Sequence, residues 1–412
     1  MIYKILLPIL LFSSILLCQN KIDIEKLHSD FATTKRQEKE YTHAKQSVEL
    51  LANADSNEGI KAGLNTAQQY FIRNEIVEKT LKNIFTNDRD SNRFLLATAL
   101  EVSKSLYPDS FKVEIDDIIE STSNPKLFAY SVNCSPQKNS QIFHELLQTK
   151  FPVENNNPVL KCLSYQLTVS DSLKFTQRPP LEDLLNNEFQ SDKTIIYTFF
   201  RSDRHYPGLS IIKRPDGEFI TNDDGEIFSL PQMGLSYADL PGYLSNGNTP
   251  EGIFSIVGSY ISPTESIGPT RNVLTRIAYE VSPEIFFHRE NKNNFWNIED
   301  YRDMLPDSWK DYFPIYEAFY AGQAGRKVII MHGSTDDLRF FKDEPYYPHT
   351  PTKGCISSIE LWDSETGKCL RSDQAKLINA FYSTGQIEGF LVIVELDNKK
   401  EPVMLKDITD YL

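Results

Sequence analysis

The first part of the chain repeats apolar residues at intervals of three and four, with polar residues between them. This period is seen in the series Ile60, Leu64, Ala67 and Phe71, and again in the series Phe94, Ala97 and Leu100. Because an α-helix turns once every 3.6 residues, such spacing places the apolar side chains on one helical face that can pack in a core. We therefore predict an all-α domain over residues 19–177.

Two stretches of this helical region resemble each other, at 84–94 and at 118–128. Each has an apolar pair, Ile84-Phe85 or Ile118-Ile119, which is followed by a short polar turn and a further apolar position. Recurrence of this kind is typical of stacked helix pairs in helical-repeat proteins. Two copies also fit an irregular helical bundle, so both arrangements stay open.

The pattern changes after residue 177. Residues 178–193 are rich in proline and acidic residues and keep neither period, which indicates a linker. Two helices are expected beyond this linker, near 309–320 and from the cap-like Ser372 to Phe381. The remaining pattern is of short β-type runs, at 194–200, 208–213, 253–257, 273–281, 327–331 and 390–396. Residues 194–412 are therefore predicted to form a β-rich α+β domain, which makes the chain multidomain.

The amino terminus carries a different signal. Lys4 precedes an uncharged, mostly apolar run from Ile5 to Cys18, after which the chain turns polar. A short apolar run behind a positive charge is typical of a secretory signal peptide, here residues 1–18, whereas a membrane-spanning helix needs about 20 apolar residues. Cys18 either leaves with this leader or carries a lipid anchor. We expect an exported protein, located in the periplasm or cell envelope.

Composition narrows the classes of function. The 412 residues are 40% hydrophobic and 24% charged, which is typical of folded proteins, and they exceed the usual size of one domain. A formal net charge of −14 argues against nucleic acid as a partner, because phosphate contacts need clustered Lys and Arg.

Cys134 and Cys162 either form a disulfide or stay as buried thiols, since an exported protein can hold both. The cysteine spacings match no zinc template, and no metal is expected.

Candidate chemistry lies near residues 327–356. The apolar run Lys327–Met331 delivers His332 and Gly333 at its end, and Cys355 follows Gly354 further along. An imidazole titrates near neutral pH and can take the proton of a thiol, which is a nucleophile only as thiolate. A glycine before the sulfur lets a substrate approach, and backbone N–H groups there can stabilise an oxyanion. Together these residues indicate acyl transfer at a cysteine.

The order His332-Gly333, then Thr352-Lys353-Gly354-Cys355-Ile356, resembles the signature of the L,D-transpeptidase catalytic domain, the YkuD-like family. The family pattern is His-Gly, a loop, Ser or Thr, His or Lys, Gly, Cys and an apolar residue. A second segment, Thr249-Pro250-Glu251-Gly252-Ile253-Phe254, resembles the Thr-Pro-x-Gly-x-Phe turn and strand that precede the active site. The resemblance is specific over 248–357 and diffuse over 194–396, and it does not include the helical region.

The resemblance implies a thioester mechanism that needs no cofactor. Cys355 would attack the carbonyl between a diamino acid and the terminal D-alanine of a peptidoglycan stem peptide, and an amine of a neighbouring stem would then take the acyl group. His332 would accept the thiol proton, oriented by the Gly333 carbonyl. Thr352 would support the site by hydrogen bonding, and Gly354 with the Cys355 amide would line the oxyanion hole.

Three departures from the family pattern affect the residues predicted to contact the substrate, which are Tyr347, His349, Lys353 and Ser357. The loop between the motifs, 336–351, is longer than usual and brings Tyr347 and His349 over the predicted site, where His349 is either a lid residue or a solvated loop histidine. Lys353 stands where many members have histidine. Ser357 stands where arginine commonly assists recognition of the substrate carboxylate. The missing charge would then come from Arg201, Arg204, Arg271 or Arg289.

Three functions are compatible with these observations. A transpeptidase would crosslink stems or exchange their terminal residue, and this is the leading hypothesis. A hydrolase with the same site would use water, and so would trim stems or release a wall-tethered protein. A scaffold that has lost turnover would bind the wall or an envelope protein through the helical region, but the retained pair of Cys355 and His332 counts against it.

Overall fold

The computed structural model describes residues 21–88, 92–137, 140–152, 156–187, 192–290 and 295–412. The predicted signal peptide and Cys18 lie outside the described residues. Within this part of the chain, no helix combines the length and the apolar character needed to cross a membrane.

A succession of helices forms the first part of the structure, as the spacing of apolar residues predicts. Asparagine starts four of these described helices, because the side chains of Asn74, Asn92, Asn124 and Asn157 accept hydrogen bonds from backbone N–H groups that have no partner inside the helix. The helices are α1 Thr34–Glu49, α2 Asn57–Gln69, α3 Glu75–Asn83, α4 Arg93–Leu106, α5 Lys112–Ser121, α6 Pro125–Cys134, α7 Ser140–Lys150, α8 Pro158–Thr168, α9 Asp171–Thr176 and α10 Leu181–Leu185.

The packing of these helices follows a regular order. Helices α2, α4, α6 and α8 contact one another in sequence, while α1, α5 and α7 pack on α2, α6 and α8. Such an order is the one expected for stacked helix pairs. Cys134 and Cys162 lie in this region as buried free thiols and not as a disulfide. Burial raises the pKa of the Cys134 thiol to about 12.

The predicted linker is partly helical. Helix α10 lies inside residues 178–193 and buries its three leucines in the core. The indole of Trp309 donates a hydrogen bond to the Pro180 carbonyl, 3.0 Å away, which ties this segment to the second half of the chain. Apolar residues at helical spacing therefore outweigh the neighbouring prolines. Residues 188–191 of the segment lie outside the described residues.

An eight-stranded mixed sheet forms the centre of the second half, in the order β3-β2-β1-β10-β4-β5-β6-β7. Its strands are β1 Thr194–Phe200, β2 Gly208–Lys213, β3 Ser229–Gln232, β4 Gly252–Tyr260, β5 Asn272–Arg276, β6 Met331–His332, β7 Ile356–Ser357 and β10 Gly389–Glu395; β8 Glu360–Trp362 and β9 Cys369–Ser372 form a separate pair. Strand β1 is parallel to β10, and β6 is parallel to β7. Met233, just after β3, forms two 2.9 Å hydrogen bonds with Ser357, so the sheet nearly closes into a barrel.

Four helices accompany the sheet: α11 Pro283–Phe287, α12 Ile298–Arg302, α13 Glu317–Gln323 and α14 Asp373–Ser383. The Ser372 hydroxyl caps α14 as predicted, since it accepts a hydrogen bond from the Ala375 N–H. The helix expected over 309–320 begins only at Glu317, after two 3₁₀ turns. Pro314 lies in the second turn and has no N–H to donate inside a helix.

Two predicted strands are shorter than expected. Strand β5 ends at Arg276 and does not continue to Val281. Strand β6 contains only Met331 and His332, so 327–330 is irregular although its sequence is apolar. The backbone of Val328 adopts a left-handed conformation with φ of 59°, which is incompatible with a strand.

The helical region and the sheet share one hydrophobic core. Alternate residues of β1 face opposite sides, so that Tyr197 belongs to the cluster continuous with the helices, whereas Ile196 belongs to a second cluster under α14. The amino-terminal segment also crosses to the sheet half, where the Ser29 N–H donates to the Gly367 carbonyl at 2.9 Å. The two halves are therefore joined by a continuous core.

Candidate active site

Strands β6 and β7 bring the predicted base and nucleophile to neighbouring backbones. His332 pairs with Ser357, and Cys355 lies two residues before Ser357. Cys355 lies directly before β7, so its backbone lies close to that of His332. Their chain neighbours Met331 and Ile356 lie in the hydrophobic core. The predicted base and nucleophile therefore each lie directly beside a residue of that core.

His332 is held in one tautomer. It is buried, and its Nδ1 lies 2.5 Å from the Gly333 carbonyl oxygen. A carbonyl oxygen only accepts hydrogen bonds, so Nδ1 must carry the proton and Nε2 must carry the lone pair. Burial lowers the pKa of the imidazole, which favours the neutral form. The ring therefore has the protonation that a general base requires.

Gly333 lies directly against a buried carboxyl group. A β-carbon at this position would collide with the side chain of Glu360, which explains why only glycine fits. Glu360 accepts a 2.5 Å hydrogen bond from the Ser372 hydroxyl. Burial raises the pKa of the Glu360 carboxyl to about 7, so this group ionises near neutral pH directly behind the residue that orients the imidazole.

Two threonines hold the turn at Gly354 and Cys355. The Thr352 hydroxyl accepts from the Gly354 N–H and donates to the Cys355 carbonyl, both at 2.9 Å. The Thr249 hydroxyl donates to the Gly354 carbonyl at 3.2 Å. Gly354 has φ of 95°, where a β-carbon is unfavourable. The Thr-Pro-x-Gly-x-Phe segment, which begins at Thr249, and the Thr-Lys-Gly-Cys segment therefore meet at this turn.

The predicted oxyanion hole is only partly available. The Gly354 N–H is already bonded to the Thr352 hydroxyl, so it does not point freely toward a substrate. The Cys355 N–H is the other predicted donor, and no partner is seen for it in the part of the chain that the structure describes. Any oxyanion at this turn would therefore depend mainly on the Cys355 amide.

Arg326 is a residue of this site that the sequence did not reveal. Its buried guanidinium donates to the carbonyls of Gly247, Asn248 and Gly354 at 2.7, 2.8 and 3.3 Å, and to that of Gly242. No carboxylate forms an ion pair with it among the described residues. Burial lowers the pKa of Arg326 to about 10. Burial also raises the pKa of the Cys355 thiol, and the positive charge of Arg326 offsets part of that rise. In the sequence it is an ordinary charge before an apolar run, with no sign of burial.

The Cys355 sulfur is partly buried and faces backbone. Its Sγ lies 3.6 Å from the Val328 carbonyl oxygen, which accepts the thiol proton in a long hydrogen bond. Burial raises the pKa of the thiol, which favours the protonated form. Within the described residues, no hydrogen bond joins the sulfur to the His332 imidazole. The thiol must therefore turn before the two groups can share a proton.

The predicted substrate residues fall into two groups. Tyr347 is half exposed, and the exposed Lys353 donates from Nζ to the Asn65 side chain in α2 at 2.9 Å. Ser357 and His349 are instead buried in this structure, which does not support the predicted contact of either side chain with a substrate. The Ser357 hydroxyl donates to the Thr350 carbonyl at 2.7 Å, and burial lowers the pKa of His349 to about 4. His349 is thus neither a lid residue nor a solvated loop residue.

The long loop is packed on the helical region. Phe340 contacts the rings of Tyr41, Tyr70 and Phe71, with centroids 5.5 to 6.4 Å apart. Phe341 is buried in a small hydrophobic cluster with residues after β3. Burial of these aromatic side chains fixes the loop from the side of the helices, which explains how the histidine in it comes to be covered.

Two of the four arginines considered for substrate recognition form ion pairs with carboxylates away from Cys355. Arg201 is fully buried and forms 2.7 Å ion pairs with Asp397 and Asp407. Arg204 is buried and pairs with Glu395 at 2.7 Å. The guanidinium of a third, Arg289, lies over the Phe287 ring. No interaction in the described part of the chain directs any of them, or Arg271, toward Cys355.

A cleft of about 840 Å³ between α6–α9 and the sheet does not contain the site. Its lining includes neither Cys355 nor His332. At its base, Lys174 joins Glu251 and Glu395 at 2.6 and 2.5 Å. Glu317, with a pKa raised to about 7 by burial, accepts from the Glu251 N–H at 3.0 Å. These groups satisfy one another and hold the segment that contains Thr249.

Comparison of the chain with protein-family models, curated proteins and solved structures found no match. In the part of the chain that the structure describes, no three His, Cys, Asp or Glu side chains converge where a metal ion could sit.

Proposed function

We propose that this chain is an exported cysteine acyltransferase of the L,D-transpeptidase kind, which crosslinks peptidoglycan stem peptides or exchanges their terminal D-amino acid. The reaction class is inferred from the chemistry of the Cys355 and His332 site. The substrate class is inferred from the resemblance of the His-Gly, Gly-Cys and Thr-Pro segments to that family. Its place of action would be the periplasm or cell envelope, as the leader indicates.

The observation that supports this proposal best is the meeting of three segments that lie far apart in sequence. Thr249 donates to the carbonyl of Gly354. His332 pairs with the residue two positions after Cys355. The imidazole is bonded through Nδ1, which leaves Nε2 to act as a base. A cysteine that only fills a core needs no such neighbours.

In the proposed reaction, His332 Nε2 takes the Cys355 proton and the thiolate attacks the substrate carbonyl. The resulting oxyanion collapses to a thioester, and the imidazolium gives its proton to the departing D-amino acid. An acceptor amine then attacks the thioester, passes a proton to His332 and releases the thiolate. The same residues would serve a hydrolase, in which water replaces the amine.

The helical region contributes to the walls of this site. Asn65 in α2 holds Lys353 next to the Gly-Cys turn. Glu101 in α4 accepts from the Asn246 side chain at 2.9 Å, and Lys126 in α6 donates to the Ser245 hydroxyl at 2.8 Å. A wall or envelope protein that binds the helical region would therefore act directly on loops beside Cys355.

A scaffold without turnover is the second candidate, because two observations favour it. The thiol is bonded to a backbone carbonyl and not to the imidazole. The position where the family has arginine is a buried serine, so substrate-carboxylate recognition would need another residue. In this function the helical region would bind the wall or an envelope protein, and the sheet half would be a platform.

Intact mass after incubation with a carbapenem tests the enzyme against the scaffold. We expect one covalent adduct on the wild-type protein and none on Cys355→Ala, because a live thiolate opens the β-lactam ring. Cys369→Ala is the matched control, since Cys369 is a buried cysteine outside the site, and it should keep the adduct. A wild-type protein that stays unmodified would favour the scaffold.

Digestion of purified sacculi with the active protein then separates the two enzymes. New crosslinked muropeptides or exchanged terminal residues, detected by mass spectrometry, would support transpeptidation. Shortened stems without crosslinks would identify a hydrolase at the same site.

A further inference from the structure

Val328 has a backbone conformation that its side chain disfavours. Its φ is 59°, in the left-handed region, where a β-branched residue is a genuine outlier. The side chain is 60% exposed, so burial of its methyl groups does not offset the strain. An outlier of this kind persists only when its surroundings hold it, and such positions cluster at functional sites.

A carboxylate holds Val328 in place. The Val328 N–H donates to Oε1 of Glu280 at 3.2 Å. The Glu280 side chain is itself fixed, because it lies 3.4 Å from the Arg276 guanidinium and its Oε2 accepts from the Ile277 N–H at 3.3 Å. It is only 8% exposed, and this burial limits its freedom to turn away.

The conformation of Val328 determines which group the thiol faces. It directs the Val328 carbonyl oxygen toward Cys355 Sγ, at 3.6 Å. A carbonyl oxygen stabilises S–H by accepting its proton, and it repels a thiolate. This contact therefore favours the protonated sulfur, which has no hydrogen bond to His332, whereas the Ile330 backbone and the charge of Arg326 favour the thiolate.

We propose that Glu280, Val328 and Cys355 form a latch, in which Glu280 is a positioning residue that holds the strained Val328 carbonyl against the resting thiol. Opening of the latch relieves the strain at Val328 and frees the sulfur to turn toward His332. The Val328 side chain is exposed and belongs to the residue whose carbonyl faces the sulfur, so a peptide substrate bound at Cys355 would press on it. The inference rests on the proposed function only in taking Cys355 as the nucleophile.

The rate of Cys355 alkylation by iodoacetamide at pH 7, measured by peptide mass spectrometry on the whole protein, tests the latch without requiring turnover. Glu280→Ala should react about fivefold faster, because Val328 loses the hydrogen bond that holds it. Glu280→Gln retains an acceptor oxygen and should stay within about twofold of wild type.

Val328→Gly should change the rate in the opposite direction. Glycine adopts positive φ without strain, so the closed latch becomes more stable and alkylation should slow by about fivefold. Val328→Ala keeps a β-carbon without the branch and should lie between glycine and valine. A general loss of stability would accelerate Cys355 alkylation in both Glu280→Ala and Val328→Gly. Rate changes in opposite directions therefore distinguish the latch from a general loss of stability.

Two results would overturn the latch. One is a Val328→Gly protein that reacts as fast as wild type or faster. The other is a Glu280→Gln protein that reacts as fast as Glu280→Ala, since the charge of Glu280 and not its hydrogen bond would then control the thiol. Absence of a carbapenem adduct with the predicted alkylation rates would remove the proposed function and leave the latch intact.

Discussion

The two sides of the Gly354–Cys355 turn differ in how firmly they are held. On the backbone side, the carbonyls of the turn accept hydrogen bonds from Thr249, Thr352 and Arg326. On the side-chain side, the sulfur makes a long hydrogen bond to the Val328 carbonyl and a hydrogen bond with the Ile330 backbone, but none to the His332 imidazole among the described residues. The backbone of the proposed nucleophile is therefore fixed by hydrogen bonds before a substrate binds, whereas the thiol must still rotate toward His332. Hydrogen bonds between catalytic groups often tighten only when a substrate binds.

The largest expected effect is on the side-chain side, at the proposed base. His332→Ala should lower kcat/KM for stem-peptide transfer by about 10²–10⁴-fold, because the thiol loses its proton acceptor. His332→Asn is the matched variant, since its side-chain amide can still donate to Gly333 but cannot act as a base. It should be equally inactive, with a melting temperature near that of wild type. Full activity in either variant would remove the base assignment.

The next largest effect is expected on the free energy of unfolding, at Arg326, which donates to the backbone of the turn. Arg326→Met should lower the free energy of unfolding by about 3 kcal/mol, because several buried carbonyls lose their donor. Arg326→Lys retains a charge and three donors and should lose less. Urea unfolding measures both. A loss below about 1 kcal/mol in Arg326→Met would show that the turn does not depend on the guanidinium.

Thr352 and Thr249 are expected to contribute unequally to holding the backbone of the Gly354–Cys355 turn. Thr352→Val should lower the free energy of unfolding by about 1–2 kcal/mol, since it leaves the Gly354 N–H without its partner and the Cys355 carbonyl with only the longer hydrogen bond from Thr249. Thr249→Val removes longer hydrogen bonds, of 3.2 and 3.4 Å, and should lose about half as much. Equal losses of unfolding free energy in the two variants, measured by urea unfolding, would contradict this expected order.

The smallest expected effect lies behind the imidazole, at Glu360. Its pKa in the folded protein is raised to about 7, above the value near 4.5 expected for the unfolded chain. Stability from this group is therefore fully present below pH 4.5 and is lost as the pH rises through 7. Glu360→Gln cannot ionise, so its unfolding free energy relative to wild type should improve by about 1 kcal/mol from pH 6.5 to pH 8. A difference that stays constant over this range would show that Glu360 does not ionise there.

Regular elements were predictable because their signals are local. The 3.6-residue period, the cap at Ser372 and the β-type runs of β1 and β10 each depend on neighbouring residues alone, and the corresponding elements are present. Residues 327–330 were predicted wrongly for the same reason. Their apolar composition favours a strand, but the hydrogen bond from Val328 to Glu280 imposes a left-handed backbone that no local pattern indicates.

The site was predictable only in part. Thr352 and Gly333 lie beside the proposed nucleophile and base, and the motifs that contain them are contiguous in sequence. His349 and Ser357 were assigned to substrate contacts and are buried instead, because the long loop packs on aromatic residues of the helical region. Burial of a loop residue depends on a surface that is distant in sequence.

The division into a helical and a β-rich part, the order of most elements and the candidate chemistry of Cys355 and His332 follow from the amino-acid sequence. The burial of Arg326 at the Gly-Cys turn, the position of Glu360 behind Gly333 and the contact of the thiol with the Val328 carbonyl follow from the fold alone. Periodicity and motifs express the preferences of neighbouring residues. The pKa of a buried group and the direction of a thiol depend on charges and carbonyls that the fold brings in from elsewhere in the chain.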